Sequence, residues 1–150
     1  MKKIDDTNKQ IIKQLLDGRK AFSAIADDLM ITENTVRSRV NKMIEDGILK
    51  ISGLIDPTMF PGLQIIMMGV NMKTLDLGRK AEEFSALRGV ISAAVVTGRY
   101  DLIVQIELNE EEGLSLLDFF KYELSKIEDV QEVETYIVYR SKNLLVPYII

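Results

Sequence analysis

The chain has 150 residues, 47% of them hydrophobic, and a formal net charge of −4, enough for one ordinary domain or two small ones. It contains no Cys and no His, which excludes disulfides, thiolate nucleophiles, zinc–thiolate clusters, an imidazole base and the commonest metal ligand. Apolar runs such as 65–68 and 91–96 fall far short of the ~20 residues of a membrane span, and the start MKKIDDTNKQ meets acids rather than a signal core, so we expect a cytoplasmic protein without cofactor, metal or membrane partner.

Residues 1–50 are predicted to form three helices. Ile4, Ile11, Ile12, Leu15 and Leu16 recur at helical spacing and stop at Asp17 and Gly18. In AFSAIADDLM (21–30), Phe22, Ile25, Ala26 and Leu29 form the apolar face, and Ala24 and Ala26 let a neighbouring helix come close. After a tight corner at "MIT", Thr32 caps a third helix with Val36, Val40, Met43 and Ile44 inward and Gly47 suited to a left-handed stop.

Turned at about 100° per residue, ITENTVRSRVNK (31–42) shows Asn34, Thr35, Ser38, Asn41 and Lys42 on the side opposite its apolar residues, flanked by Arg37 and Arg39. Short hydrogen-bonding side chains between guanidinium groups suit a helix in a major groove. Its centre would meet base edges, and Arg37, Arg39 and Lys42 would meet phosphates. Thr32, at the entry to the helix, is counted with this surface. Glu33 favours the positive helix terminus yet is repelled by phosphate, unless it accepts from a cytosine amino group. Any surface helix has a polar face. What favours DNA is the order of parts, a capped basic helix third in a trihelical unit and followed by the extended segment ILKISGLI (48–55).

A hinge is expected over 51–62, where Gly53, Pro57, Pro61 and Gly62 punctuate the pattern. Charge changes across it. Residues 1–50 carry 10 Lys and Arg against 8 Asp and Glu, while 51–150 carry 9 against 15, so only the head suits a polyanion.

Residues 63–150 alternate differently. LQIIMMGVNM (63–72) reads as a strand, and 75–87 as a helix with Leu77, Ala81, Phe84 and Leu87 on one side, weakened by Gly78. Segments 90–97 and 102–108 are two strands joined by GRYD, 110–126 is a second amphipathic helix, and 130–140 a last strand. The order βαββαβ predicts an α+β fold in which a ferredoxin-like four-stranded antiparallel sheet carries both helices on one face. The other face is also apolar. Ile65 and Met67 oppose Ile66, Met68 and Val70, and Tyr136 and Val138 oppose Val133, Ile137 and Tyr139, which predicts a homodimer packed sheet against sheet, or else cover in cis by NLLVPYII (143–150).

The turn after the second strand brings groups of opposite character together. Gly98 permits a turn whose free N–H groups hold a carboxylate, and Asp101 takes an ammonium. A plain hairpin is the alternative, and Arg99 either pairs with Asp101 or binds a carboxylate itself.

The stretch IDDTNKQIIKQLLDGRKAFSAIADDLMITENTVRSRVNKMIEDGILK resembles the head of the leucine-responsive and asparagine-operon regulators, the Lrp/AsnC or feast/famine family. LIDPTMFPG resembles its Ile-Asp-Pro linker, and VVTGRYDLIVQI its Thr-Gly-x-Tyr-Asp strand-turn-strand. The likeness covers essentially the whole chain. It implies a helix-turn-helix, winged-helix-like DNA-binding domain over 1–50, an extended linker over 51–62, and a ferredoxin-like effector-binding and dimerisation domain over 63–150. It also implies a sequence-specific transcription regulator of double-stranded DNA, dimers that assemble further, often to octamers, and an amino acid or related metabolite bound between subunits at Thr97, Gly98, Arg99, Tyr100 and Asp101. Pro61 and Arg99 depart from the family pattern. Two other classes stay open at this point. One is an oligomeric ligand-sensing module whose head docks to protein; the other is a small enzyme, for which only carboxylates such as Glu107, Glu132 and Glu134 are on offer, and these read more simply as solvated strand positions.

Overall fold

The computed structural model describes residues 4–149, which fall into two units, one ending at Ser52 and one beginning at Gly53. Residues 1–3, in the expected head, and Ile150, in the C-terminal segment, lie outside the described residues.

In the head, Asp5 starts helix α1 (Asp6–Gln14) by accepting a hydrogen bond from the Asn8 N–H at 2.7 Å. Helix α2 (Phe22–Leu29) ends at Met30, which takes the left-handed conformation at the corner. Helix α3 (Glu33–Glu45) follows, its first turn closed by the Thr32 hydroxyl on the Thr35 N–H. Ile11, Ile25, Ala26, Val36, Val40 and Met43 form the buried core between the three helices, which ties α3 to its scaffold along one stripe and leaves the other side free. Ile44, placed inward by periodicity, is largely exposed, because it sits one residue beyond the Val36–Val40–Met43 stripe. Gly47 has a φ of 68° and occupies the expected left-handed stop. From Ile48 the chain runs extended, Ile48 and Leu49 packing on the head core.

The second unit begins with that same extended path. Ile55 bridges to Val146 through two backbone hydrogen bonds of 2.8 and 3.0 Å, and Asp56 caps a 3-10 turn at Pro57–Met59. Strand β1 (Leu63–Met72), helix α4 (Leu77–Ser85), strands β2 (Val90–Val95) and β3 (Leu102–Asn109), helix α5 from Leu116 and strand β4 (Val130–Ile137) complete the βαββαβ order. The antiparallel sheet has the order β2-β3-β1-β4, as the ferredoxin-like reading requires. Alternation sends Ile66, Met68, Val70, Val104 and Ile106 toward Phe84 and Phe119 on the helices, forming the body core.

Two expectations are corrected here. The helix expected over 110–126 begins only at Leu116. Residues 110–113 form a turn, closed by the Asn109–Leu114 bridge with Gly113 left-handed at φ 73°, and a Ser115–Asp118 capping box then starts the helix, which loosens into a π turn at Phe119–Glu123. Strand β4 ends at Ile137, so Tyr139, expected to alternate with Val133, lies beyond the ladder and is 98% exposed. Of the two covers left open for the helix-free face, the C-terminal segment supplies part within the same chain. Val146 is buried and the Tyr148 ring stacks on Phe60 with centroids 5.6 Å apart; beneath this segment, Ile65 is 2% and Glu107 0% exposed. The remainder of that face keeps Ala94 and Tyr136 exposed and Met67 and Ile103 half-buried.

Candidate functional site

The buried stripe of α3 fixes what its outer side presents. Asn34, Ser38 and Asn41 are exposed in a row and, with Arg37, Lys42 and Glu45, line a shallow depression on the head surface. Thr32 and Thr35 are engaged with each other, their hydroxyl oxygens 2.8 Å apart at the helix entry.

The three cations of α3 differ in their surroundings. Arg37 donates to the Glu33 carboxylate at 2.6 Å and holds its guanidinium 5.5 Å above the centre of the Phe22 ring. Lys42 lies 3.2 Å from Asp46 and 3.8 Å from Glu45. Arg39 turns toward α1, donating to Asp5 at 2.6 Å and to the Asn8 side chain at 2.9 Å. That hydrogen bond from Arg39, helped by the Asn8 N–H, holds the Asp5 carboxyl below the usual carboxylate range. Arg39 thus braces α1 against α3, whereas the outer row of Asn34, Ser38 and Asn41 has Arg37 and Lys42 beside it.

The second candidate region is the turn between β2 and β3. Gly98 has a φ of 128°, in the region that favours glycine, and Thr97 is exposed beside it. Asp101 is anchored by its neighbours. Its N–H donates to Val70 O at 3.0 Å, and its carboxylate accepts from the Met72 N–H at 2.8 Å. Arg99 does not pair with Asp101; its guanidinium lies 3.0 Å from Glu134 and 5.3 Å from the Tyr100 ring centre. The Tyr100 hydroxyl donates to the Glu134 carboxylate and lies 2.8 Å from the Tyr136 hydroxyl. These bonds raise the Tyr100 phenol and lower the Glu134 carboxyl.

Gly69 is a residue that sequence reasoning missed. A Cβ there would stand 2.6 Å from the Tyr100 ring, so glycine is what lets Tyr100 lie flat on the helix-free face of β1. The signal was present as a glycine inside an otherwise apolar strand. Gly69→Ala is expected to push Tyr100 off the sheet and cost about 1 kcal/mol, read as a lower midpoint in thermal unfolding.

The strand carboxylates also differ from their simple reading. Glu132 is exposed and Glu134 is engaged as above, but Glu107 is fully buried, and among the described residues no hydrogen bond of ordinary geometry reaches either of its oxygens. Burial pushes its carboxyl above the usual range, the Ile149 backbone offsetting part of this. Among the described residues no cluster of acidic side chains is arranged to hold a metal ion, and no helix is long and apolar enough to cross a membrane.

Comparison with known proteins addresses both units. Residues 4–50 match the winged helix-turn-helix DNA-binding family, and residues 65–143 match the Lrp/AsnC ligand binding domain. An uncharacterized HTH-type transcriptional regulator of Pyrococcus furiosus is 33% identical over 138 residues, covering 90% of this chain and 91% of that protein. Among solved structures, AsnC of E. coli superposes with a TM-score of 0.66 at 21% identity, over 95% of this chain and 97% of that one. A transcriptional regulator of Neisseria meningitidis, solved as an L-Met complex, gives 0.68 at 17% identity over 97% and 96%. At such identities the two structures speak for the fold alone.

Proposed function

The chain belongs to the Lrp/AsnC family of helix-turn-helix transcription regulators, a family of regulators rather than enzymes, and from that premise we propose how its two units divide the work. The head docks α3 in the major groove of double-stranded DNA, with Asn34, Ser38 and Asn41 at base edges and Arg37 and Lys42 at phosphates. Thr32 and Thr35 fix the helix entry, and Arg39 supports the same surface through its hold on α1. The single observation that carries this reading is the exposed polar row opposite the buried Val36–Val40–Met43 stripe.

Binding of the full chain to duplex DNA, followed by fluorescence anisotropy across a salt series, tests it. Affinity should fall linearly with salt on logarithmic axes. Arg37→Ala should weaken binding about tenfold on every sequence, whereas Asn34→Ala and Ser38→Ala should redistribute preference among sites. Wild-type affinity in the Arg37 variant would place the docking surface elsewhere.

The body serves as the control unit. An amino acid or related metabolite binds between subunits at the 97–101 turn, and bodies pair as homodimers over the uncovered part of the sheet, with assembly continuing toward an octamer. Exposed Ala94 and Tyr136 on the helix-free face support the pairing, and the meningococcal relative solved with L-Met supports the ligand class. Thermal-shift measurements against the twenty amino acids check it, since a ligand that binds only the folded form raises apparent stability.

A further inference from the structure

Glu33, in the first turn of α3, carries a charge that opposes the proposed partner, and its geometry gives it a task. Its carboxylate takes the Arg37 guanidinium at 2.6 Å, four residues on along the helix, while the Phe22 ring supports the same guanidinium from α2 at 5.5 Å. Arg37 therefore meets DNA already neutralised and already held in one orientation.

We propose that Glu33 is a specificity-determining residue of the head, suppressing binding to arbitrary DNA more than binding to a preferred site. The inference rests on the reading of α3 as the groove-docking helix. Binding to arbitrary sequence draws almost wholly on cations releasing counterions from phosphates. A guanidinium shared with Glu33 contributes less to it than a free one would, because an arriving phosphate must compete with a carboxylate already in place and is repelled by it. At a preferred site, hydrogen bonds from Asn34, Ser38 and Asn41 to base edges seat the helix in one register. There the orientation imposed by Glu33 and Phe22 saves the ordering of a long side chain, and this offsets the repulsion. Lys42, beside Asp46 and Glu45, extends the same arrangement, and Arg39 is already occupied by Asp5.

The test compares two duplexes with the full-length chain: one selected by the wild-type protein from a randomised library, and one of random sequence. Glu33→Gln keeps the size of the side chain and removes its charge. It should tighten binding to the random duplex about three- to fivefold, the scale of one exposed ion pair. Binding to the selected duplex should stay within about twofold, since the lost repulsion and the lost ordering oppose each other. The salt dependence on the random duplex should steepen by about one phosphate contact. In an Arg37→Gln background the same change at Glu33 should tighten both duplexes alike, since only the ordering it imposes runs through that guanidinium and the direct repulsion is common to both. Equal tightening on both duplexes with Arg37 present overturns the proposal, as does a difference between the duplexes that persists without Arg37. A loss of preference confined to one C·G position also overturns it, and would assign Glu33 to direct acceptance from cytosine. A wild-type chain that selects no duplex would bring down the docking reading itself. One that selects a site and needs Arg37 for it, yet is indifferent to Glu33, would bring down only this proposal.

Discussion

Replacing Glu107 with Leu should stabilise the body at neutral pH by about 1–4 kcal/mol, the range found when buried charged groups give way to apolar ones of similar volume. Glu107 sits on β3 opposite Ile65, its N–H donating to Gly89 O at 2.7 Å, so the backbone is satisfied while the carboxylate is not. Its folded-state pKa is raised by burial, which means that the folded chain holds a proton that the unfolded chain gives up. Below the unfolded pKa of about 4.3 both states are protonated and the group costs little beyond its burial. As pH rises through that value, the unfolded state ionises first and stability declines, reaching its full loss above the folded pKa. Glu107→Gln removes this dependence while keeping the shape. The difference in unfolding free energy between the Gln variant and wild type should therefore be smallest near pH 4 and grow toward neutrality, measured by urea denaturation at a series of pH values. A pH-independent difference would show that the carboxyl is solvated in the folded protein.

The contrast between what periodicity revealed and what it missed follows from where information about packing resides in a chain. The α3 surface was legible because helix phase alone separates Val36, Val40 and Met43 from Asn34, Ser38 and Asn41. Arg39 lies on a shoulder of the same wheel, and its pairing with Asp5 and Asn8 depends on how α1 packs, which no local pattern records. Glu107 read as a solvated strand position, yet it is fully buried, because a segment some forty residues further on folds over it. Lys80 teaches the same lesson on α4. It is buried with its ammonium 2.9 Å from Glu83 and 3.7 Å from Asp129, a partner supplied by a left-handed turn far along the chain. The late start of α5 was readable, by contrast. Ser115 and Asp118 have capping-box spacing, and Gly113 before them is a stop, but the acidic run Glu110–Glu112 has helical propensity and masked both signals.

Asp101 offers the sharpest division between a structural and a ligand-binding role, because one substitution separates them. Its carboxylate accepts from the Met72 N–H at the end of β1, and its own N–H and carbonyl bond Val70 and Val96. Asp101→Ala removes the side-chain acceptor and leaves the Met72 N–H unpaired in a half-buried position, at a cost of about 1–3 kcal/mol, so a lost ligand response in that variant alone would be ambiguous. Asp101→Asn retains an oxygen that can accept from Met72 and removes the negative charge. If the turn holds an amino acid by its ammonium, the Asn variant should unfold within about 1 kcal/mol of wild type yet lose the thermal shift produced by the effective amino acid. Arg99→Gln supplies the complementary measurement. Arg99 is engaged with Glu134 and Tyr100, so a carboxylate that recruits it must draw it from Glu134, and the variant should weaken ligand binding without touching the Met72 bond. A full amino acid response in both Asp101→Asn and Arg99→Gln would remove the turn from the effector site and leave it as the clasp that joins β1 to β3.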